Sequence, residues 1–399
     1  MQFGFREGHS TQMALFVLLD KIIHALENNE FAVGVFLDFS KAFDTVDHNI
    51  LLKKLNYYGI RGTPLAWINS YLSGRQQFTT YNGIQSDYKD IACGVPQGSI
   101  LGPLLFLVYV NDLAFVSEKL YTIMFADDTN MFLTGESINE LVNVLNIELQ
   151  SIVVWLKANK LSLNIDKTHF MLFQPRRKSI ATCNDVILDS HTISRVRDCK
   201  FLGVILDEKL SWKNHVFHIK NKVSKGIGIL YKARVNLNEK HMITLYHSLI
   251  YPYFNYCNSI WSYATKEVLN PLIIIQKFAV RCICYLKRRE STAPYFAKLN
   301  ILKLNEIKLY NASLFMYNFY HGKVPAILSS FFQYNRSIHS YNTRQQPQFH
   351  VPRPKTNLSK NFIKYFGVNI WNSIYCKLNV NVKPSTFKKQ LKIHLTKDY

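Results

Sequence analysis

The stretch Phe125-Ala126-Asp127-Asp128-Thr129 constrains this chain more than any other. Apolar runs flank it, residues 121–124 on one side and 130–133 on the other, so two adjacent carboxylates are expected at the tip of a β-hairpin. An Asp-Asp pair alone is most often a solvated turn. Upstream, Phe31-Ala32-Val33-Gly34-Val35-Phe36-Leu37 reads as a buried strand that delivers Asp38 at its C-terminal end, with residues 39–44 turning into a helix.

Three carboxylates on neighbouring strand ends are what two-metal phosphoryl and nucleotidyl transfer requires. Magnesium ions roughly 3.5–4 Å apart activate an attacking hydroxyl and stabilise the leaving oxygen. Each ion keeps waters and substrate phosphates, so one or two carboxylates per ion suffice. In that arrangement Asp38 and Asp127 bridge both ions and Asp128 completes the set. Acids packed so closely repel one another, and divalent cations are what make the cluster tolerable.

The pair does not stand alone. Phe3-Gly4-Phe5-Arg6 with Ser10-Thr11, Leu37 to Asp44, Gly94-Val95-Pro96-Gln97-Gly98-Ser99, Phe125 to Asp128, Asn164-Ile165-Asp166-Lys167-Thr168 and Phe201-Leu202-Gly203 follow in order. This series resembles the reverse transcriptase of non-LTR retrotransposons, Jockey-like elements in particular, over about residues 1–210. The resemblance implies an α+β right-hand polymerase. A palm with partial fingers, an antiparallel sheet backed by helices, precedes a mainly helical basic thumb and a C-terminal region. It also implies an RNA template, a DNA primer or target, deoxynucleoside triphosphates, and two Mg2+ ions that Mn2+ can replace.

Residue roles carry over by position. Asp38, Asp127 and Asp128 are implied as metal ligands, and Lys167 as a catalytic cation near the triphosphate. Arg6, Phe43, Gln97 and Gly98 are implied at the nucleotide and template, with Phe43 beneath the sugar, where it disfavours a 2′-hydroxyl. Phe201, Leu202 and Gly203 match the primer grip. The family has finger segments before the block at Phe3, so the chain reads as N-terminally truncated. A catalytically inactive nucleic-acid-binding remnant is therefore the alternative. Intron-encoded reverse transcriptases and RNA-templated RNA polymerases share the palm chemistry; Phe43 argues against the latter.

Charge is distributed unevenly. Residues 1–175 hold 12 Lys and Arg against 17 Asp and Glu, a net of −5, whereas residues 176–399 hold 36 against 10, a net of +26. A basic half of this kind suits the phosphates of a nucleic acid. No run of about 20 uninterrupted apolar residues suggests a membrane span, and no secretory signal is visible, so a secreted protein is not expected and nucleus or cytoplasm stays open. Seven cysteines without a Cys-x-x-Cys pair indicate free thiols in a reducing compartment.

Periodicity gives the remaining expectations. Helices are expected over residues 11–28, 46–58, 64–72, 100–110, 138–157, 215–231, 241–263 and 268–286, a hairpin around Asn82-Gly83, a strand over 170–173 and a small hairpin within 196–206. Residues 1–175 are assigned to partial fingers and palm, 176–290 to primer-grip hairpin and thumb, and 291–399 to a basic C-terminal region, with 334–354 extended.

Overall fold

The computed structural model describes residues 1–175, 178, 184–338 and 348–397. Arg176 and Arg177 at the expected palm boundary, Cys183, and residues 339–347 of the segment expected to be extended lie outside the described residues. The chain divides into two compact units, one of residues 1–14 and 24–197, the other of residues 15–23 and 198–399.

In the first unit, helix α1 (Thr11–Glu27) starts where the Ser10 side chain accepts a hydrogen bond from the Met13 amide; its residues 15–23 count with the second unit. Strand β1 (Phe31–Leu37) follows and is buried along its whole length. Residues 40–44, expected to enter a helix, are a turn instead. Helix α2 (His48–Tyr57) begins only at Asp47, whose carboxylate caps the Ile50 amide at 3.0 Å and also binds Lys160 Nζ at 2.6 Å. Helix α3 (Thr63–Leu72) carries Pro64 in its first turn.

Four two-residue strands come next: β2 (Gln76–Gln77), β3 (Thr80–Tyr81), β4 (Ile84–Gln85) and β5 (Lys89–Asp90). β3 pairs with β4 across Asn82-Gly83, both at positive φ, the geometry of a type I′ turn, and β2 pairs with β5 outside them. Helix α4 (Leu101–Val110), strands β6 (Tyr121–Phe125) and β7 (Asp128–Gly135), helix α5 (Ile138–Ala158) and strands β8 (His169–Phe173), β9 (Val186–Leu188) and β10 (His191–Arg195) complete the unit.

Six strands form one sheet in the order β6-β7-β1-β8-β10-β9. β1 lies between β7 and β8, antiparallel to both, with Leu37 opposite Thr129 and Phe36 opposite His169. The pairing of β10 with β8 is parallel, so the sheet is mixed, not wholly antiparallel as expected. Only Ser194 and Arg195, at the end of β10, carry that parallel register, too short a signature to read from alternation.

Helix α5 is long and apolar enough, by length and composition, to cross a membrane. Its apolar residues have another use here: Leu141, Val142, Leu145, Leu149, Ile152, Val153 and Leu156 are buried in the core with Val33, Val35, Met131 and Leu172 of the sheet.

Besides residues 15–23 of α1, the second unit has the hairpin β11 (Asp198–Phe201) and β12 (Val204–Asp207), and its other regular elements among the described residues are helical apart from a bridge between Tyr334 and Phe349. Helices α6 (Lys213–Ala233), α7 (Glu239–Leu249), α8 (Tyr251–Asn255), α9 (Asn258–Trp261), α10 (Lys266–Ile283), α11 (Ala293–Lys298), α12 (Leu304–Tyr320), α13 (Asn357–Asn361), α14 (Ile363–Tyr375) and α15 (Pro384–Thr396) follow. The continuous helix expected over 241–263 is three helices. Pro252 has no amide to continue the ladder past Ile250, and Cys257 takes φ 46 between α8 and α9. Aromatic rings dominate this core: Phe16 packs on Phe315 at 4.8 Å, and Tyr317 stacks on Phe387 at 4.4 Å.

Candidate active site

The β6–β7 hairpin is closed by two residues, Ala126 and Asp127, with Phe125 opposite Asp128. Ala126 holds φ 59 at the first central position of the turn, where glycine is the usual choice. This tight reversal puts Asp127 on the tip and Asp128 at the start of β7. Register brings the third acid in. Because Leu37 faces Thr129 across antiparallel strands, the next residue, Asp38, leaves β1 on the side of Asp128.

Electrostatics report the same convergence. Asp128 is exposed by surface area, yet loss of hydration around its carboxyl, then the charge of Asp127 and that of Asp38, hold it above the usual carboxylate range. Lys167 Nζ stands 3.9 Å from Asp38 Oδ2, both side chains being partly exposed. Backbone contacts hold that lysine's loop in place: Asn164 N donates to Asp38 O at 2.8 Å, and Asp38 N donates to the buried Thr168 hydroxyl at 3.3 Å.

The Gly94–Ser99 turn is stitched to the segment after Asp38. Gly94 N donates to Val46 O at 2.7 Å, Val95 N to Phe43 O at 2.8 Å, and Gln97 Nε2 to Asp44 Oδ1 at 2.8 Å. Only glycine fits at 94. Its φ is +88, and a Cβ there would stand 2.7 Å from Asp44 O. Gly98, also at positive φ, is exposed with open space around it. Phe43 is half-buried, its ring 4.3 Å from that of Phe106 on α4 and edge-on to exposed Phe5. Arg6 is exposed and donates to Gln2 O at 3.3 Å.

The structure thus sets Lys167 beside Asp38, with the charges of Asp38 and Asp127 felt at Asp128, and joins Phe43 and Gln97 to one another through the 94–99 turn. Phe201, Leu202 and Gly203 belong to the second unit. There Leu202 and Gly203, both at positive φ, close β11 onto β12; the Phe201 and Leu202 side chains are buried, and Tyr256 OH donates to Leu202 O at 2.8 Å.

Sequence reasoning missed Gln2. Its side chain is buried; Oε1 accepts from Gly4 N at 2.8 Å and Ala126 N at 2.9 Å, while Nε2 donates to Ala126 O at 3.2 Å. No local periodicity marks a partner 124 positions away.

Among the described residues no group of three or more His, Cys, Asp or Glu side chains closes into a metal-holding cluster. The donor chemistry nevertheless suits a hard divalent cation. All three acids offer carboxylate oxygens, and their mutual repulsion at Asp128 is what such an ion would relieve.

A model of the reverse transcriptase (RNA-dependent DNA polymerase) family matches residues 1–206, and the chain belongs to that family. The RNA-directed DNA polymerase from mobile element jockey of Drosophila melanogaster is 31% identical over 308 residues, 74% of this chain and 32% of that protein. The probable RNA-directed DNA polymerase from transposon X-element of the same species is 28% identical over 296 residues, 71% of this chain and 31% of its own length. The chain therefore spans about a third of the length of these curated relatives. A solved telomerase from Candida albicans, in complex with the TWJ fragment of telomeric RNA, has a TM-score of 0.32 at 12% identity, covering 76% of this chain and 55% of that one.

Proposed function

We propose that this chain is the polymerase part of a non-LTR retrotransposon protein, adding deoxynucleotides to a DNA primer 3′-hydroxyl along an RNA template. Residues 1–175 act as partial fingers and palm, 176–290 as primer-grip hairpin and helical thumb, and 291–399 as a basic C-terminal region. The observation that carries the reading is the register setting Asp38 beside the Asp127-Asp128 tip, with the charges of Asp38 and Asp127 felt at Asp128.

Asp38, Asp127 and Asp128 would hold two Mg2+ ions, or Mn2+ in their place. Bound there, the ions would supply Lewis-acid polarisation of the attacking hydroxyl and charge neutralisation of the departing pyrophosphate. The remaining chemistry belongs to side chains. Lys167, on the loop bonded to the Asp38 backbone, presents an ammonium to the triphosphate and can give a proton to the leaving group. Gln97, held by Asp44, and Gly98, with open space above its backbone, offer a surface for template and incoming base, with exposed Arg6 a further cation for the nucleotide. Phe43, braced by Phe106, presents a ring edge to the sugar. Phe201, Leu202 and Gly203 form a stiff turn whose exposed backbone at Gly203 can bear on the primer end.

Primer extension on an RNA template with Mg2+ tests the reading. Extension by the chain that vanishes in Asp127→Ala and Asp38→Ala supports it; equal behaviour of wild type and both variants overturns it.

The uneven charge favours one second reading, a chain that binds nucleic acid without copying it. It predicts salt-sensitive binding that neither aspartate substitution alters, and no extension by the wild type.

A further inference from the structure

The tip carrying Asp127 is not held by its own hairpin alone. Residues 1–3 run alongside β6, Phe3 N donating to Met124 O and Met124 N to Met1 O, each at 2.8 Å, with a parallel bridge between Gln2 and Met124. From this position the Gln2 amide reaches past the end of the strand and grips Ala126 from both sides, oxygen to its N–H and nitrogen to its C=O. The same oxygen accepts from Gly4 N, so the two N–H donors fix which end of the amide is which.

Gly4 completes the grip. A Cβ on Gly4 would stand 2.3 Å from Ala126 N and 3.0 Å from Phe125 C, so only glycine lets the two backbones meet. Gln2 is 7% exposed and Ala126 8%, so water has little access to replace these bonds.

The grip falls on the peptide that sets the acids' direction. Ala126 C=O belongs to the peptide plane joining Ala126 to Asp127, and Ala126 keeps φ 59, a conformation an L-residue holds only when its surroundings impose it. Two-residue turns at hairpin ends fray when their backbone groups can exchange with solvent. We propose that Gln2, with Gly4 allowing its approach, is a positioning residue that fixes the Ala126–Asp127 peptide and so aims the Asp127 and Asp128 carboxylates at a shared divalent cation. The inference rests on the reading that these acids bind such ions. Glutamine suits the task because one side chain offers an acceptor and a donor about 2 Å apart, matching the N–H and C=O of a single residue.

Mn2+ titration of the full chain by calorimetry, with amide hydrogen exchange at Ala126, tests this. Gln2→Met removes all three bonds at similar size, and Gln2→Asn keeps the amide but shortens its reach. Both are expected to weaken Mn2+ binding by about tenfold or more and to speed Ala126 exchange without speeding that of β1. Gln2→Glu keeps an acceptor for both N–H groups, so Ala126 exchange should stay slow, but it sets an oxygen against Ala126 C=O in place of the donor and should weaken Mn2+ binding as Gln2→Asn does. Should Gln2→Met fail to fold, Gln2→Asn against the wild type decides. Wild-type Mn2+ affinity in Gln2→Asn, with Asp127→Asn devoid of binding, overturns the positioning role and leaves the acid site standing. Absence of Mn2+ binding in the wild type overturns both, and a Gln2→Glu variant that binds Mn2+ as tightly as the wild type overturns the hold on the Ala126 carbonyl.

Discussion

The acidic tip of the first unit and the basic helices of the second solve opposite problems. At the tip a few like charges lie close, and hydrogen bonds from distant segments hold their backbone: the Gln2 side chain on Ala126 and the Asn164 amide on Asp38. In the second unit many like charges are spread along exposed helix faces, as with Lys213, Lys220, Lys222, Lys225 and Lys232 on α6, while rings and aliphatic chains hold the interior. Under the proposed function, one region concentrates charge at a point for chemistry and the other distributes it for grip. Disturbing the first should change what happens to a bound nucleic acid, and disturbing the second whether it is bound.

The largest effect breaks that division if it is wrong. Asp127→Ala or Asp38→Ala should reduce primer extension to background while leaving RNA affinity unchanged in a filter-binding or anisotropy assay. Affinity itself should fall steeply with salt. With about six or more phosphates neutralised, it drops on the order of 10³-fold between roughly 50 and 200 mM monovalent salt, and Lys220→Glu with Lys225→Glu should flatten the slope.

Acid separates the two units by sign. His215 in α6 is held at a pKa of about 4, well below its ordinary 6.5, first by burial and then by His218. Its Nδ1 accepts from Ile205 N at 3.2 Å, so the neutral ring is the one that fits. A base whose native pKa is depressed binds fewer protons folded than unfolded, so the folded state loses stability as pH falls from 6.5 towards 4. The contribution lost reaches roughly 3 kcal/mol at the lower end. Asp128 acts in reverse. Its native pKa is raised, so the folded state binds more protons, and this group favours folding as pH falls through the range just above the ordinary carboxylate value. Hydrogen exchange resolved by unit between pH 7 and 4 should show the second unit loosening, and His215→Gln should blunt that response.

Two smaller effects sharpen the picture of the tip. Gly94→Ala must push against Asp44 from a positive φ and should destabilise the first unit by about 1–3 kcal/mol in a denaturant melt. Asp128→Asn removes one of the repelling charges and should raise the melting temperature slightly at neutral pH, while abolishing any stabilisation by added Mn2+.

Much of the first unit was legible because its signals are local. A wholly apolar heptad ending in Asp38, an Asp-Asp pair between apolar runs and an Asn-Gly pair in a polar stretch each name a strand end or a turn by rules that need few neighbours. The parallel β8–β10 pair and the latch of Gln2 depend on where distant segments meet, which spacing along the chain does not encode. The second unit was legible as helical but not in its breaks. Pro252 offered a warning near one of them, whereas nothing in the identity of Cys257 announces a left-handed residue. The turn from Lys41 to Asp44 has helix-forming composition, yet its backbone is committed to pinning the Gly94 loop, as Val95 N on Phe43 O shows.

Ala126 has one further implication, for how such sequences age. An alanine codon becomes a glycine codon by one nucleotide change, and Ala126→Gly would release on the order of 1 kcal/mol of backbone strain at the turn. The same change widens the conformations open to the loop that carries Asp127. A lineage no longer selected for copying can drift towards the relaxed form at no cost to folding, so the identity of residue 126 among related copies would serve as a record of whether each is still under selection to work.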